Sequence, residues 1–241
     1  MVDIHCHILP GVDDGAKSWE IAIEMCAMAV ADGIDHVVAT PHANDVYSYD
    51  RAQNTALLQE LSRKAPSAPA FSLGCDFHFS FENIQDLISD REKYVISGTS
   101  YLLIELSDYS ISPTIDATVS RIVSMGITPI LTHPERNLIL QGQPERILKF
   151  AENGCVIQVT ANSITGFWGE RARKISKWLL DREAVHVVST DAHDLRRRPL
   201  RLSEAYEEIK RSYGNDIAEF LTEGNPRAIV QNRPLPYQVR F

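Results

Sequence analysis

The sequence predicts an α/β fold of parallel strands in a barrel-like arrangement. Seven short hydrophobic runs rich in β-branched residues recur near 2–7, 35–41, 70–77, 100–106, 127–132, 154–160 and 184–191. Helical patterns alternate with them, as crossover connections between parallel strands require. Six of the runs also deliver a nitrogen or oxygen ligand at or just past their C-terminal ends, the place where barrel strands converge on one mouth.

The first run is Val2-Asp3-Ile4-His5-Cys6-His7. Residues two apart on an extended segment share a face, so His5 and His7 point together and Cys6 points away, toward a helix layer. Residues 17–32 carry Trp19, Ile23, Cys26, Ala27 and Val30 at helical spacing, and residues 50–64 carry Ala56, Leu57 and Leu61. Ala65 to Ala70 reads as a loop. Residues 114–125 carry Ile115, Val119, Ile122 and Val123; residues 144–153, 169–182 and 200–223 are also read as helical, and Asn225-Pro226 as the start of a short terminal turn. Gly33, Gly126 and Gly154 stand where a helix C-terminal glycine feeds the next strand. No linker, internal repeat or charge block divides the chain, so residues 1–241 are read as a single domain.

Composition limits the function. Hydrophobic residues make up 44% and charged residues 23%, ordinary values for a soluble globular protein. With 24 basic and 32 acidic residues the net charge is −8, which argues against a nucleic-acid partner. No apolar run reaches ~18 residues and no signal-peptide pattern opens the chain, so a cytoplasmic location without a transmembrane segment is expected. Cys6, Cys26, Cys75 and Cys155 show no paired spacing and are expected to be free thiols. None can be the nucleophile of a phosphatase that needs arginine six positions on. That position holds Val12, Asp32, Phe81 and Ala161 respectively.

Five histidines at strand ends, His5, His7, His42, His133 and His193, are joined by Asp14, Asp76, Glu105 and Asp191. Nine ligands are too many for one ion; three cations with bridging carboxylates would use them. Imidazole and carboxylate without thiolate suits manganese, iron or zinc. His36, His78 and His186 are left outside the set, with His78 the closest case because it shares a strand face with Asp76. Tyr47 and Tyr49 are read as ordinary loop tyrosines.

The order and spacing of several segments resemble one family. These are Asp3-Ile4-His5-Cys6-His7-Ile8-Leu9-Pro10-Gly11-Val12-Asp13-Asp14-Gly15, Thr40-Pro41-His42 and Ile104-Glu105-Leu106, followed by Gly126-Ile127-Thr128-Pro129, His133-Pro134-Glu135-Arg136 and Ser189-Thr190-Asp191-Ala192-His193. Together they resemble the PHP (polymerase and histidinol phosphatase) superfamily, and within it the bacterial PHP-type protein-tyrosine phosphatases of capsule and exopolysaccharide operons. The resemblance implies a distorted seven-stranded (β/α)7 TIM-like barrel with the metal site at the C-terminal strand ends. It also implies two or three divalent ions, manganese first. One is implied on His5, His7 and Asp191, one on Glu105 and His133 with Asp76 bridging, and one on Asp14, His42 and His193. Superfamily members usually carry glutamate where this chain has Asp76.

The chemistry so implied is attack on phosphorus by a metal-bridging hydroxide, with Arg136 and Arg198 clamping the phosphate oxygens. The implied substrate is a phosphotyrosine protein, an autophosphorylating bacterial tyrosine kinase of polysaccharide assembly. A small phosphomonoester such as histidinol phosphate is the alternative substrate, and a non-catalytic metal-binding module the alternative from another class. Oligomeric state is left open.

Overall fold

The structure, a computed structural model, describes residues 1–237. Among the described residues nine strands are parallel and fall into two sheets. The first orders β1 (Val2–Cys6), β2 (His36–Ala39) and β4 (Ala70–Leu73). The second orders β3 (His42–Ala43), β5 (Asp76–His78), β6 (Tyr101–Glu105), β7 (Thr128–Thr132), β8 (Val156–Thr160) and β9 (Val187–Ser189).

Each of the seven expected runs carries strand, but two are split. Thr40-Pro41 separates β2 from β3, and Gly74-Cys75 separates β4 from β5. Proline offers no N–H to a ladder. Gly74 lies so close to its neighbours that a Cβ would meet Ile96, Val38 and Thr40 at 3.2–3.3 Å. Each broken strand starts in one sheet and ends in the other, so the hydrogen bonding forms two sheets and no closed seven-stranded sheet among the described residues. On the other side the sheets meet through single bonds. Asp191 N–H donates to His5 O (2.9 Å) and His7 N–H to Ala192 O (2.8 Å).

The helices are α1 (Trp19–Ala31), α2 (Arg51–Lys64), α3 (Phe81–Ser89), α4 (Ile115–Ser124), α5 (Glu145–Glu152), α6 (Ala161–Ile164), α7 (Gly169–Leu180), α8 (Ser203–Tyr213), α9 (Asn215–Glu219) and α10 (Asn225–Val230). Gly33, Gly126 and Gly154 follow helices with φ of 81°, 78° and 90°, where a side chain would be strained. The apolar stripe expected on α1 is rotated. Ala22, Met25, Cys26 and Ala29 are buried, whereas Ala27 and Val30 face solvent. The helix expected over 200–223 is broken at Gly214 (φ 94°) and ends in a π-turn at Phe220–Gly224. Periodicity missed α3 and α6, which span about two turns and one turn, and the terminal turn expected at Asn225-Pro226 is the short helix α10.

Two apolar clusters hold the layers. One joins strand residues such as Val37, Leu102, Leu131 and Val188 to helix residues such as Met25, Leu61, Ile122 and Leu179. The other is made almost entirely of strand residues, Val2, Ile4, Val38, Leu103, Ile130, Val156 and Val187 among them, and is joined by Ile229 of α10. All four cysteines are free and buried.

His186 sits beside this second cluster. Its Nδ1 accepts from Ile157 N–H (2.9 Å), and its carbonyl accepts from Asn225 Nδ2 (2.8 Å). Burial pushes its pKa from 6.5 down to about 4. The folded state therefore takes up this proton later than the unfolded chain as pH falls. The contribution is intact above about pH 6.5 and is lost as pH falls toward 4. Denaturant titrations at pH 7 and pH 5 are expected to differ by about 2 kcal/mol more in the native protein than in His186→Gln. Equal slopes in the two proteins would refute this assignment.

Candidate metal centre

The site begins with an irregularity in β1. Val2 pairs with His36 and Asp3 with Val37, yet Cys6 pairs with Ala39, so one extra residue lies in β1 between Asp3 and Cys6. Strict alternation would put Val2, Ile4 and Cys6 on one face. Instead Val2 and Ile4 join the strand cluster while Cys6 joins the helix-side cluster. The bulge re-aims the end of the strand, a recurrent use of bulges near functional sites. His5 within the bulge and His7 beyond it point together, with their Nε2 atoms 3.3 Å apart.

Asp191 Oδ1 lies 3.4 Å from both Nε2 atoms, and Asp76 Oδ2 lies 3.4 Å from His5 and 4.0 Å from His7. Asp76 Oδ2 is also 3.3 Å from His42 Nδ1. Glu105 is 3.6 Å from His133 Nε2 and 3.9 Å from His42 Nδ1. Asp14 Oδ1 stands 3.3 Å from His42 Nε2 and 3.3 Å from His193 Nε2. The structure thus brings all nine sequence-predicted ligands together, and Asp76 touches histidines of more than one group. His78, left outside the set, lies 3.7 Å from Glu105, and the Tyr47 ring stacks on His42 (6.0 Å between centroids, 14° between planes).

Neighbouring bonds fix which nitrogen is free. His5 Nδ1 donates to Gln158 Oε1 (3.1 Å), His7 Nδ1 to Asp13 Oδ2 (2.7 Å) and His193 Nδ1 to Asp191 O (2.8 Å). Each leaves Nε2 aimed into the cluster, the orientation metal-binding histidines take from their outer partners. His133 (φ 34°) and Asp191 (φ 53°) hold left-handed backbone, a conformation costly outside glycine and often found at functional sites. Sequence reading named neither Asp13 nor Gln158 as functional. Gln158 had a signal, a polar residue inside Val156-Ile157-Gln158-Val159. Asp13 sat beside the chosen Asp14, and spacing alone could not rank the two.

Several buried atoms here lack a hydrogen-bond partner among the described residues: Asp14 Oδ1, both Asp76 oxygens, His42 Nδ1 and His193 Nε2. Buried carboxylate oxygens without donors are costly. Ligands about 2.0–2.2 Å from one cation lie roughly 3–3.5 Å from each other, the spacing seen here. The residues present fit divalent cations.

The charges respond to one another. Burial lowers the pKa of His5, but Asp76 and Asp191 raise it further, to about 9. Burial likewise lowers His42, and Asp14, Asp76 and Glu105 lift it to about 10. His193 falls to about 4 through burial and the nearby His7. Burial opposes ionisation of Asp76 and Asp191, yet neighbours keep both well below the usual carboxylate range, His5 and His42 for Asp76 and Arg136 and His5 for Asp191. Burial pushes the Cys6 and Cys75 thiols well up, so neither is a poised thiolate.

Both predicted arginines stand at the edge of the cluster. Arg136 Nη1 pairs with Asp191 Oδ2, and its guanidinium carbon lies 4.2 Å from the Trp168 ring centroid. Arg198 reaches Asp14 Oδ2 at 3.0 Å and Asp191 Oδ2 at 3.7 Å. Neighbouring Glu135 is fully buried; its Oε1 accepts from Thr160 N–H and Oγ1 and from Ser163 Oγ, anchoring the loop that carries Arg136.

Residues 1–231 match the family described as capsular polysaccharide synthesis, CpsB/CapC. The chain is 30% identical to tyrosine-protein phosphatase YwqE of Bacillus subtilis, over 98% of this chain and 93% of that one. It is 29% identical to tyrosine-protein phosphatase CpsB of Streptococcus pneumoniae, over 97% and 99%. A solved structure from work on YwqE and CpsB, described as metal-dependent tyrosine phosphatases, superposes with a TM-score of 0.90 at 28% identity over the full length of both chains.

Asp13→Asn weakens the bond that fixes His7, so the affinity for divalent metal is expected to fall roughly 10–100-fold in calorimetric titration. A variant that binds as tightly as the native protein would remove Asp13 from the centre.

Proposed function

On the premise that this chain belongs to the capsular polysaccharide synthesis family CpsB/CapC, we propose that it is a metal-dependent protein-tyrosine phosphatase of polysaccharide assembly. The observation that carries the reading is the set of carboxylate and imidazole side chains facing one another at 3.3–4.0 Å, several of their buried atoms without a hydrogen-bond partner among the described residues, with two guanidinium groups at their edge.

His5, His7 and Asp191 would hold one cation, and Glu105 and His133 a second, with Asp76 shared. Asp14, His42 and His193 would hold a third. The seven strand runs are read as a distorted barrel around this mouth. Manganese is the first candidate ion, with iron or zinc next. When bound, such cations supply the Lewis acidity that makes water nucleophilic at neutral pH and offset phosphate charge.

The chain's own residues do the rest. Arg136 and Arg198 would meet the phosphate oxygens, and the Trp168 ring stacked on the Arg136 guanidinium would keep it in place. A phenolate, with a conjugate pKa near ~10, leaves more readily than an alkoxide and needs little help from an acid.

The rim supports a protein substrate over an enclosed small one. Val46, Phe81, Tyr109, Leu138 and Phe167 are exposed, and each lies in a segment that follows a strand's C-terminal end. An apolar rim around an open mouth fits a phosphorylated polypeptide, read here as a cytoplasmic segment of an autophosphorylating tyrosine kinase.

Metal add-back after chelation, assayed on a phosphotyrosine peptide, is the test. The native protein is expected to regain activity, while His5→Ala/His7→Ala loses at least about a thousandfold in kcat. Thiol alkylation should leave activity intact. Activity that persists in the double variant, or that prefers histidinol phosphate, would overturn the reading.

A further inference from the structure

A cleft of about 440 Å³ runs outward from the metal centre between the loops after β6 and β7 and the start of α7. Glu105, His133, Arg136, Leu138, Trp168 and Arg171 are among its lining residues. Two proposed ligands and one proposed phosphate clamp therefore belong to the same cavity as two large apolar side chains.

The apolar wall is held in place before any substrate arrives. Asn137 donates through Nδ2 to Leu106 O (3.2 Å) and Ser107 O (3.0 Å), and its Oδ1 accepts from Ile139 N–H (3.1 Å) and Leu140 N–H (3.0 Å). Leu138 N–H donates to Asp108 Oδ1 (3.2 Å). A loop with this much backbone fixed still leaves the Leu138 side chain 60% exposed.

The charges along the cleft are unequal. Arg136 is paired with Asp191 and Glu170 with Lys174 at 3.5 Å, while Asp108 accepts from the Leu138 N–H and keeps its negative charge. Arg171 is exposed, and its guanidinium has no partner among the described residues. An unpaired cation on the lining attracts an anion that enters the cleft.

Resting on the phosphatase reading above, we propose that this cleft receives the tyrosyl ring and the residue beside it, with Leu138 selecting the ring and Arg171 selecting an acidic neighbour. A phosphate held at the centre and by Arg136 leaves its ester substituent in the cavity those residues line. Leu138 then covers a ring face, and Arg171 meets a carboxylate carried by the adjacent residue. Trp168 is a positioning residue, since its ring is stacked with Arg136.

The test separates binding from turnover. Metal-loaded full-length protein is titrated with peptides carrying a non-hydrolysable phosphonomethyl-phenylalanine, flanked by aspartate or by asparagine, and turnover is measured on the matching phosphotyrosine peptides and on phosphoserine. At low ionic strength the native protein is expected to bind the aspartate peptide roughly tenfold more tightly, and Arg171→Ala to lose most of that ratio. Leu138→Ser is expected to weaken both peptides and to lower the phosphotyrosine-to-phosphoserine ratio of kcat/KM roughly tenfold. Variants that bind both peptides as the native protein does overturn the assignment, as do equal losses on phosphotyrosine and phosphoserine in Leu138→Ser. Discriminating binding without turnover by the native protein would sink the phosphatase reading and leave the cleft assignment standing.

Discussion

Everything at the centre of this molecule depends on holding buried imidazoles and carboxylates against one another. His5, His7, Asp76 and Asp191 approach to 3.3–4.0 Å, and Asp76 has no hydrogen-bond donor on either oxygen. Removing charges from water costs on the order of several kcal/mol per ion, and buried carboxylates without donors add to it. The fold must oppose that cost at each of these side chains, and divalent cations would offset it.

The opposition is built into backbone and outer bonds. A bulge turns the end of β1, His133 and Asp191 adopt left-handed backbone, and Asp13, Gln158 and the Asp191 carbonyl each fix one imidazole. Asp3 accepts from Thr190 N–H (3.0 Å) and so ties β1 to the segment after β9, which carries Asp191 and His193. These devices work because the strand cluster beneath them and the helix layer around them are closely packed. Stability resides in those two clusters, and the mouth carries the strain.

Arg136 and Arg198 link this architecture to the proposed chemistry. Both now pair with carboxylates of the ligand set. Metal cations would compete with these guanidinium groups for the carboxylates. Metal would take the carboxylates and leave the guanidinium groups to the substrate. Trp168 and the buried Glu135 keep Arg136 on hand through that exchange.

Much of this was legible in the residues. His5-x-His7 and Asp191-x-His193 are local signals, and strand ends gather in any parallel α/β array, so nine candidate ligands that the fold brings together could be named and the seven strand runs placed. Helix phase was less legible, as the rotated stripe on α1 and the break at Gly214 show, because an apolar side chain near solvent looks the same in a sequence as one in the core. The sequence by itself determined which chemistry is available: imidazole and carboxylate without thiolate, two arginines, and no cysteine followed by arginine. Tertiary structure alone decided the splitting of two strands, the bulge that aims His5 and His7, the choice of Asp13 to orient His7, and the nearness of Arg136 to Trp168 and the cleft. Residue identity sets what an atom can donate or accept, whereas contacts between residues distant in the chain are fixed only when packing chooses their positions.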